Sequence, residues 1–152
     1  MRPLKPGDRA PDFRLPNQDG QEVVLSEVLE KNAVVLFFYP KDDTPTCTKE
    51  ACAFRDAYDD FAAAGATVIG ISQDSASSHR RFADKHGLPF TLVSDTTGSA
   101  RAAYRVPRLM FVMPGRTTFV IDQKGIVRHA FTSHRGAESH VREALAHLPG
   151  SR

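Results

Sequence analysis

An uninterrupted apolar run from Ala33 to Tyr39 constrains the fold of this chain more than any other feature. A strand with one face in water alternates apolar and polar side chains, whereas a strand covered on both faces is apolar at consecutive positions. The run therefore predicts a central β-strand with a layer of structure on each side of its sheet.

Strand-like and helix-like segments alternate around this run. An Asp-Gly turn separates Asp12–Leu15 from Glu22–Leu25 and predicts an N-terminal β-hairpin. The other predicted strands are Thr67–Ser72, Phe90–Val93, and a second hairpin made by Thr117–Ile121 and Ile126–Phe131. The predicted helices are Ser26–Leu29, Cys47–Ala64, a segment from Ser75 or Ser77 to Gly87, a short one near Ala100–Tyr104, and Ala137–Leu148.

This order of elements predicts one α/β domain, residues 1–152, in which helices flank a central mixed β-sheet. The order is compatible with a thioredoxin-like core, although the pattern alone also permits other three-layer folds. With 152 residues, 41% of them hydrophobic, the chain is long enough to bury a core without disulfides or a structural metal.

Charge and hydropathy point away from nucleic acids and membranes as partners. The formal net charge is only +2, and no run of basic residues reaches five. No apolar stretch approaches the roughly 18 residues that indicate a membrane span. The N-terminal residues lack the apolar core of a secretion signal, so we expect a cytoplasmic protein. In a reducing cytoplasm, a close cysteine pair is more often catalytic or metal-binding than structural.

The only two cysteines, Cys47 and Cys52, lie at the predicted start of a helix that follows Pro40. A helix N-terminus carries partial positive charge and lowers the pKa of a nearby thiol below its free value of about 8.5. This placement predicts a reactive thiolate at Cys47 rather than a small buried apolar residue. A zinc site is disfavoured because the chain has no second Cys or His pair at finger-like spacing. We expect His134 and His140 to be solvated surface residues rather than metal ligands.

Pro40, Thr44 and Cys47 together form the motif Pro-x-x-x-Thr-x-x-Cys, and with it the chain resembles the peroxiredoxins over nearly its whole length. The resemblance is greatest to the Q-type, or bacterioferritin-comigratory, branch. The segments that carry it are Phe38–Pro40, Cys47–Cys52, Phe54–Asp56 and Pro114–Asp122. It implies a thioredoxin-like fold and a thiol-dependent reduction of hydrogen peroxide and organic hydroperoxides, with no metal, haem or flavin.

The resemblance also implies a role for each residue of the motif. Cys47 is the nucleophile, Thr44 and Arg116 bind the two peroxide oxygens, and Pro40 shields the site. Arginine suits this role because its guanidinium stays charged and presents several donors in a fixed fork. Glu50, on the same side of the helix as Cys47, either orients the arginine or is an ordinary solvated helix charge.

Cys52 is then the candidate resolving cysteine, which forms an intramolecular disulfide with oxidised Cys47. On one intact helix, five residues correspond to a rise of about 7.5 Å and place the two Cα atoms roughly 8 to 9 Å apart. Disulfides need Cα atoms about 4.4 to 6.8 Å apart. We therefore predict that the start of the helix unwinds locally in every turnover.

The expected partners are a hydroperoxide and a thioredoxin or similar dithiol reductant. The resemblance favours a monomer. The apolar segment Leu109–Met113, between Pro107 and Pro114, either is buried under the active site or docks a reductant or a second subunit, which leaves a weak dimer open.

Two other functions remain open for the cysteine pair. One is a thiol–disulfide oxidoreductase acting on proteins, although the usual motif for that task is Cys-x-x-Cys and this chain has four residues between its cysteines. The other is a redox-sensing or holdase role, in which unwinding of the helix exposes a binding surface.

Overall fold

The computed structural model of the chain describes residues 4–106, 108–109, 113–114, 117–132 and 137–148. The strands are β1 (Arg14–Pro16), β2 (Glu22–Val24), β3 (Ala33–Phe38), β4 (Ala66–Ser72), β5 (Thr91–Ser94), β6 (Arg108–Leu109), β7 (Met113–Pro114), β8 (Thr117–Ile121) and β9 (Val127–Thr132). The helices are α1 (Leu25–Leu29), α2 (Pro45–Asp56), α3 (Tyr58–Ala63), α4 (Ala76–His86), α5 (Ser99–Ala103) and α6 (Ala137–Ala146).

Five of the strands form a mixed sheet in the order β5-β4-β3-β8-β9. Strands β3, β4 and β5 are parallel to one another, whereas β8 runs antiparallel to both of its neighbours, β3 and β9. Strands β1 and β2 form the N-terminal hairpin, and β6 pairs with β7. The predicted α/β class, the mixed central sheet and the hairpin are therefore confirmed.

Strand β3 lies in the middle of this sheet, and every one of its residues is buried. Its side chains alternate between two apolar cores, one on each face of the sheet. Val34, Leu36 and Phe38 belong to the core that contains Tyr104 and Phe119. Val35 and Phe37 belong to the core that contains Phe54, Phe61, Phe82 and Cys47. The apolar run is thus covered on both faces, as its sequence predicts.

Of the helices predicted to begin at Ser26 and at Ser75 or Ser77, only the second begins with a serine as its N-cap. Ser75 is the N-cap of α4, its hydroxyl accepts a hydrogen bond from the amide of Ser78, and Gly87 ends the helix in the left-handed conformation, as predicted. Ser26, in contrast, lies inside α1, whose N-cap is Val24. The amide of Ser26 donates to Oδ1 of Asp12 at 2.9 Å. The Asp12 side chain, which precedes β1 in the sequence, therefore satisfies one of the free amides at the start of α1.

The single helix predicted over 47–64 is wrong, because the chain breaks at Ala57 into α2 and α3. Phe54 and Phe61 are both buried, and their ring centroids are 5.6 Å apart. On one straight helix, seven residues would separate the two positions by about 10.5 Å along the axis. The break brings both rings into the same core and leaves Tyr58 36% exposed. Among the described residues, no helix is long and apolar enough to cross a membrane.

Candidate active site

Cys47 is the third residue of α2, which begins after the loop that leaves the central strand β3. The residue is only 1% exposed and packs in the core that contains Phe37, Ala51 and Phe54, so the expectation that Cys47 is not buried among apolar residues is wrong, although its place at the helix start is as predicted. Cys52 lies on the same unbroken helix, is half-buried, and forms no disulfide with Cys47. The structure therefore represents the dithiol form of the pair, with the first turn of α2 intact.

Thr44 occupies the N-cap position of α2, with φ −85° and ψ 152°, and Pro45 follows at the first helical position. The Thr44 side chain makes no capping hydrogen bond. Its hydroxyl instead donates to the carbonyl oxygen of Lys41 at 3.2 Å. Because the hydroxyl donates its hydrogen to this carbonyl, its oxygen can still accept a hydrogen bond from a bound ligand. Pro40, two residues after the end of β3, is half-buried.

A buried carboxylate holds the loop between Pro40 and Thr44. Oδ1 of Asp42 accepts from the hydroxyl of Tyr39 at 2.5 Å. Oδ2 of Asp42 accepts from the hydroxyl of Ser78 at 2.9 Å and lies 2.7 Å from Nδ1 of His79. Burial, and then the nearby Asp42 charge, raise the pKa of Tyr39 well above its ordinary value, so its hydroxyl remains a donor.

A second carboxylate supports the first. The amide of Asp42 donates to Oδ2 of Asp74 at 2.8 Å, and the hydroxyl of Ser72 donates to the same oxygen at 2.6 Å. His79 places Nε2 3.0 Å from the carbonyl oxygen of Val93. Both ring nitrogens of His79 thus face groups that only accept hydrogen bonds. We name Tyr39, Asp42, Asp74 and His79 the loop anchor.

The loop anchor was not predicted from the sequence. Tyr39 and Asp42 lie inside the motif region, but local patterns give no sign that His79, 37 residues from Asp42, contacts that carboxylate. The next loop residue, Asp43, has a positive φ of 62° and bonds to Lys85 and His86. The hydrogen bonds from Lys85 and then His86 lower the pKa of the Asp43 carboxyl.

Glu50 is completely buried one turn after Cys47, so its interpretation as a solvated helix charge is wrong. Its Oε2 lies 3.5 Å from Nδ1 of His140 on α6. That nitrogen is 2.8 Å from the hydroxyl of Thr118 on β8. His140 is also fully buried, which corrects the expectation of a solvated surface histidine. The packing of α6 against α2 encloses both side chains.

Cys52 opens onto a surface cleft of about 590 Å³ between α2 and α6. The cleft is lined by Lys49, Cys52, Ala53, Asp56, Glu138, Ser139 and Arg142. Cys47 is buried whereas Cys52 borders this cleft, so the two sulfur atoms face different surroundings although they lie on one helix.

Several predicted features lie outside the described residues. Arg116 is one of them, and its role stays a prediction. The described residue next to it, Thr117, pairs with Phe38 at the end of β3, close in sequence to Pro40. His134 is likewise outside the described residues. Leu109–Met113 is described only at its ends, where β6 pairs with β7.

Comparison with known proteins identifies the family. The AhpC/TSA family model matches residues 6–130. Peroxiredoxin Q of Triticum aestivum chloroplasts is 49% identical over 140 residues, which are 91% of this chain and 64% of the wheat protein. The corresponding protein of Sedum lineare is 47% identical over 91% of this chain and 75% of its own length. The chain thus spans less than two thirds of the wheat relative.

Solved structures agree in fold. The crystal structure of peroxidoxin BcpB from Mycobacterium tuberculosis superposes with a TM-score of 0.90 at 40% identity, over 98% of this chain and 99% of that one. A mutant of peroxiredoxin Q from Xanthomonas campestris gives a TM-score of 0.81 at 30% identity, over 88% of each chain. These are thioredoxin-fold proteins, which confirms the predicted fold. The chain belongs to the AhpC/TSA family, as a peroxiredoxin of the Q type.

Proposed function

We propose that this protein is a thiol-dependent peroxidase that reduces hydrogen peroxide and organic hydroperoxides through Cys47. The observation that carries the proposal is the position of Cys47 in the first turn of α2. This turn follows the loop that contains Pro40 and the N-cap residue Thr44. Helix N-terminal amides and the helix dipole stabilise a thiolate there. Membership of the peroxiredoxin family supports the same chemistry.

The first step is attack of the Cys47 thiolate on one oxygen of the peroxide. The S–O bond forms while the O–O bond breaks, and the other oxygen takes up a proton and leaves as water or an alcohol. Cys47 becomes a sulfenic acid. Thr44 and Arg116 bind the peroxide oxygens and stabilise the charge that develops on the departing one. Pro40 limits access of water to the sulfur.

The second step joins the two cysteines. The Cys52 thiol attacks the sulfenic sulfur, an S–S bond forms, and water leaves. Because both residues lie on one intact helix in the dithiol form, the start of α2 unwinds before this bond can form. Cys52 borders the cleft between α2 and α6, where a thioredoxin-like dithiol can reach the disulfide and restore both thiols by exchange. We also propose that the protein is a monomer in the cytoplasm.

Stopped-flow kinetics with the reduced protein test this function. We expect a second-order rate with hydrogen peroxide far above that of a free thiol, abolished by Cys47→Ser. Cys52→Ser should keep the first oxidation fast but stop turnover driven by thioredoxin. A wild-type rate near that of an ordinary free thiol, or full peroxidase activity in Cys47→Ser, would contradict the assignment and favour a protein oxidoreductase or a redox sensor.

A further inference from the structure

Two histidines and a glutamate meet where the edge strand β9 packs against the C-terminal end of α6. His129 lies on β9, Glu143 lies on α6, and His147 follows the last residue of α6. One nitrogen or carboxylate oxygen from each residue lies within 4.8 Å of those of the other two. We name these three residues the His–Glu–His cluster; it includes neither cysteine.

The contacts within the His–Glu–His cluster define which atoms carry lone pairs. Nε2 of His129 is 2.8 Å from Oε1 of Glu143, a contact whose hydrogen a metal ion bound to Nε2 would replace. The rings of His129 and His147 stack with centroids 3.6 Å apart. Nδ1 of His147 is 2.9 Å from the main-chain oxygen of Glu143. A carbonyl only accepts, so Nδ1 carries the hydrogen. In the neutral ring, Nε2 of His147 then keeps the lone pair that a metal requires.

We propose that the His–Glu–His cluster binds a zinc ion, or a similar divalent transition metal. Imidazole nitrogens and a carboxylate oxygen are zinc ligands at about 2.0 to 2.2 Å, and three protein ligands leave one position for water. Two such ligand atoms on a tetrahedral ion are about 3.3 Å apart. The cluster therefore needs to contract by about 1.5 Å at most, and the nearly parallel rings must turn so that their lone pairs converge.

Exposure allows this adjustment. His147 is exposed, and the side chains of His129 and Glu143 are 20% and 35% exposed, so an ion can enter from solvent and the His147 ring can rotate. Glu143 and His147 are four residues apart, which places them on one side of the helix end. A bound ion would join the edge strand of the sheet to α6, the helix that encloses Glu50 and borders the Cys52 cleft.

The second group of possible ligands among the described residues, Asp42, Asp74 and His79, does not suit a metal. Both oxygens of Asp42 already accept hydrogen bonds, and Oδ2 of Asp74 accepts two. The ring nitrogens of His79 face Asp42 and a main-chain carbonyl. An ion there would have to displace these buried bonds, whereas the His–Glu–His cluster lies at the surface.

Calorimetric titration of ZnCl₂ into the untagged, metal-free 152-residue chain tests the site. Cys47→Ser/Cys52→Ser serves as the parent, because thiolates also bind zinc. We expect one Zn²⁺ per chain. Adding His147→Ala or Glu143→Gln should weaken binding by more than about tenfold, since loss of an outer-shell partner alone costs 10–100-fold. His86→Ala, which removes a histidine beside a different carboxylate, should leave the affinity unchanged.

Thermal unfolding gives a second readout that uses the same proteins. Zinc that binds only the folded state should raise the Tm of the parent and of His86→Ala, but not of His147→Ala. Unfolding curves without zinc establish that each variant is folded. No saturable binding by the parent at about 1 mM Zn²⁺, unchanged binding in His147→Ala and Glu143→Gln, or equal weakening in His86→Ala would each overturn the proposal.

Discussion

The chain on the two sides of Cys47 is held by different kinds of interaction. Before it, the loop from Pro40 to Thr44 is tied to the protein through the loop anchor, in which Asp42 accepts bonds from Tyr39 and Ser78 and pairs with His79. After it, α2 presents Cys47, Ala51 and Phe54 to an apolar core. Its N-cap side chain makes no capping bond, and its first turn has no acidic residue.

This difference indicates which part can move. Buried charge-assisted hydrogen bonds are directional and costly to break, whereas helix starts without a side-chain cap are less stable by about 0.5 to 2 kcal/mol. We infer that α2 can unwind from its N-terminal end while the loop anchor keeps Pro40 and Thr44 in place. The side of the site that binds peroxide then remains ordered during disulfide formation.

The largest expected effect comes from breaking the loop anchor. His79→Ala removes two buried hydrogen bonds, one to the Asp42 carboxylate and one to the carbonyl of Val93, and leaves a cavity in their place, so we expect a loss of about 3 kcal/mol or more. Urea unfolding of the reduced protein measures this loss. Arg80→Ala, at the next position of α4, removes only exposed ion pairs and should cost much less. Similar losses in both variants would mean that the anchor adds little.

A smaller effect is expected from the tyrosines. Tyr39→Phe removes a hydrogen bond to a carboxylate, and Tyr104→Phe removes one to the carbonyl of Pro11. Hydrogen bonds to charged groups contribute about 1.5 to 3 kcal/mol and neutral ones about 0.5 to 1.5, so urea unfolding should rank Tyr39→Phe as the more destabilising. The reverse order would contradict a charged Asp42 at the centre of the anchor.

The alkaline pH dependence of these two variants sharpens the comparison. Burial raises the pKa of both tyrosines above the unfolded value, and the Asp42 charge adds to this at Tyr39. Each tyrosine thus contributes stability that is fully present below about pH 10 and is lost as the pH rises toward the folded-state pKa. Each Phe variant should therefore lose less stability than the wild type on going above pH 10.

The smallest effect is expected at the exposed end of the loop. Lys85 is the largest cause of the lowered pKa of Asp43, so Lys85→Ala should move that pKa back toward about 3.9. A lowered carboxyl pKa stabilises the fold above the unfolded value and loses that contribution as the pH falls through the folded one. NMR titration of the Asp43 carboxyl measures the shift, and an unchanged pKa would contradict the contact.

The sheet could be predicted because a strand that is buried on both faces has consecutive apolar residues, a pattern that can be recognised in one short segment of sequence. Consecutive apolar residues in β3 and the serine and glycine that bound α4 are visible without tertiary information. The break at Ala57 cannot be recognised in this way, because the helical spacing of apolar residues continues across it from Phe54 to Phe61. The break accompanies the close packing of the two rings, whose centroids are 5.6 Å apart in one core.

The site was predictable only as far as its motif. Cys47 at a helix start and Cys52 on the same helix follow from residues within one short segment. The contacts of Asp42 with His79 and of Glu50 with His140 join distant segments. A charged or histidine position on an amphipathic helix suggests solvent exposure, and only the packing of α6 against α2 overrides that expectation for Glu50 and His140.

Amide hydrogen exchange of the protein, before and after oxidation by one equivalent of hydrogen peroxide, tests the central claim most directly. Mass spectrometry first establishes that Cys47 and Cys52 have formed the disulfide. We predict that the amides of 48–56 lose protection on oxidation, while the Asp42 amide, bonded to Asp74, keeps its protection. A disulfide formed with 48–56 still fully protected, or equal loss of protection at Asp42, would contradict an unwinding confined to α2.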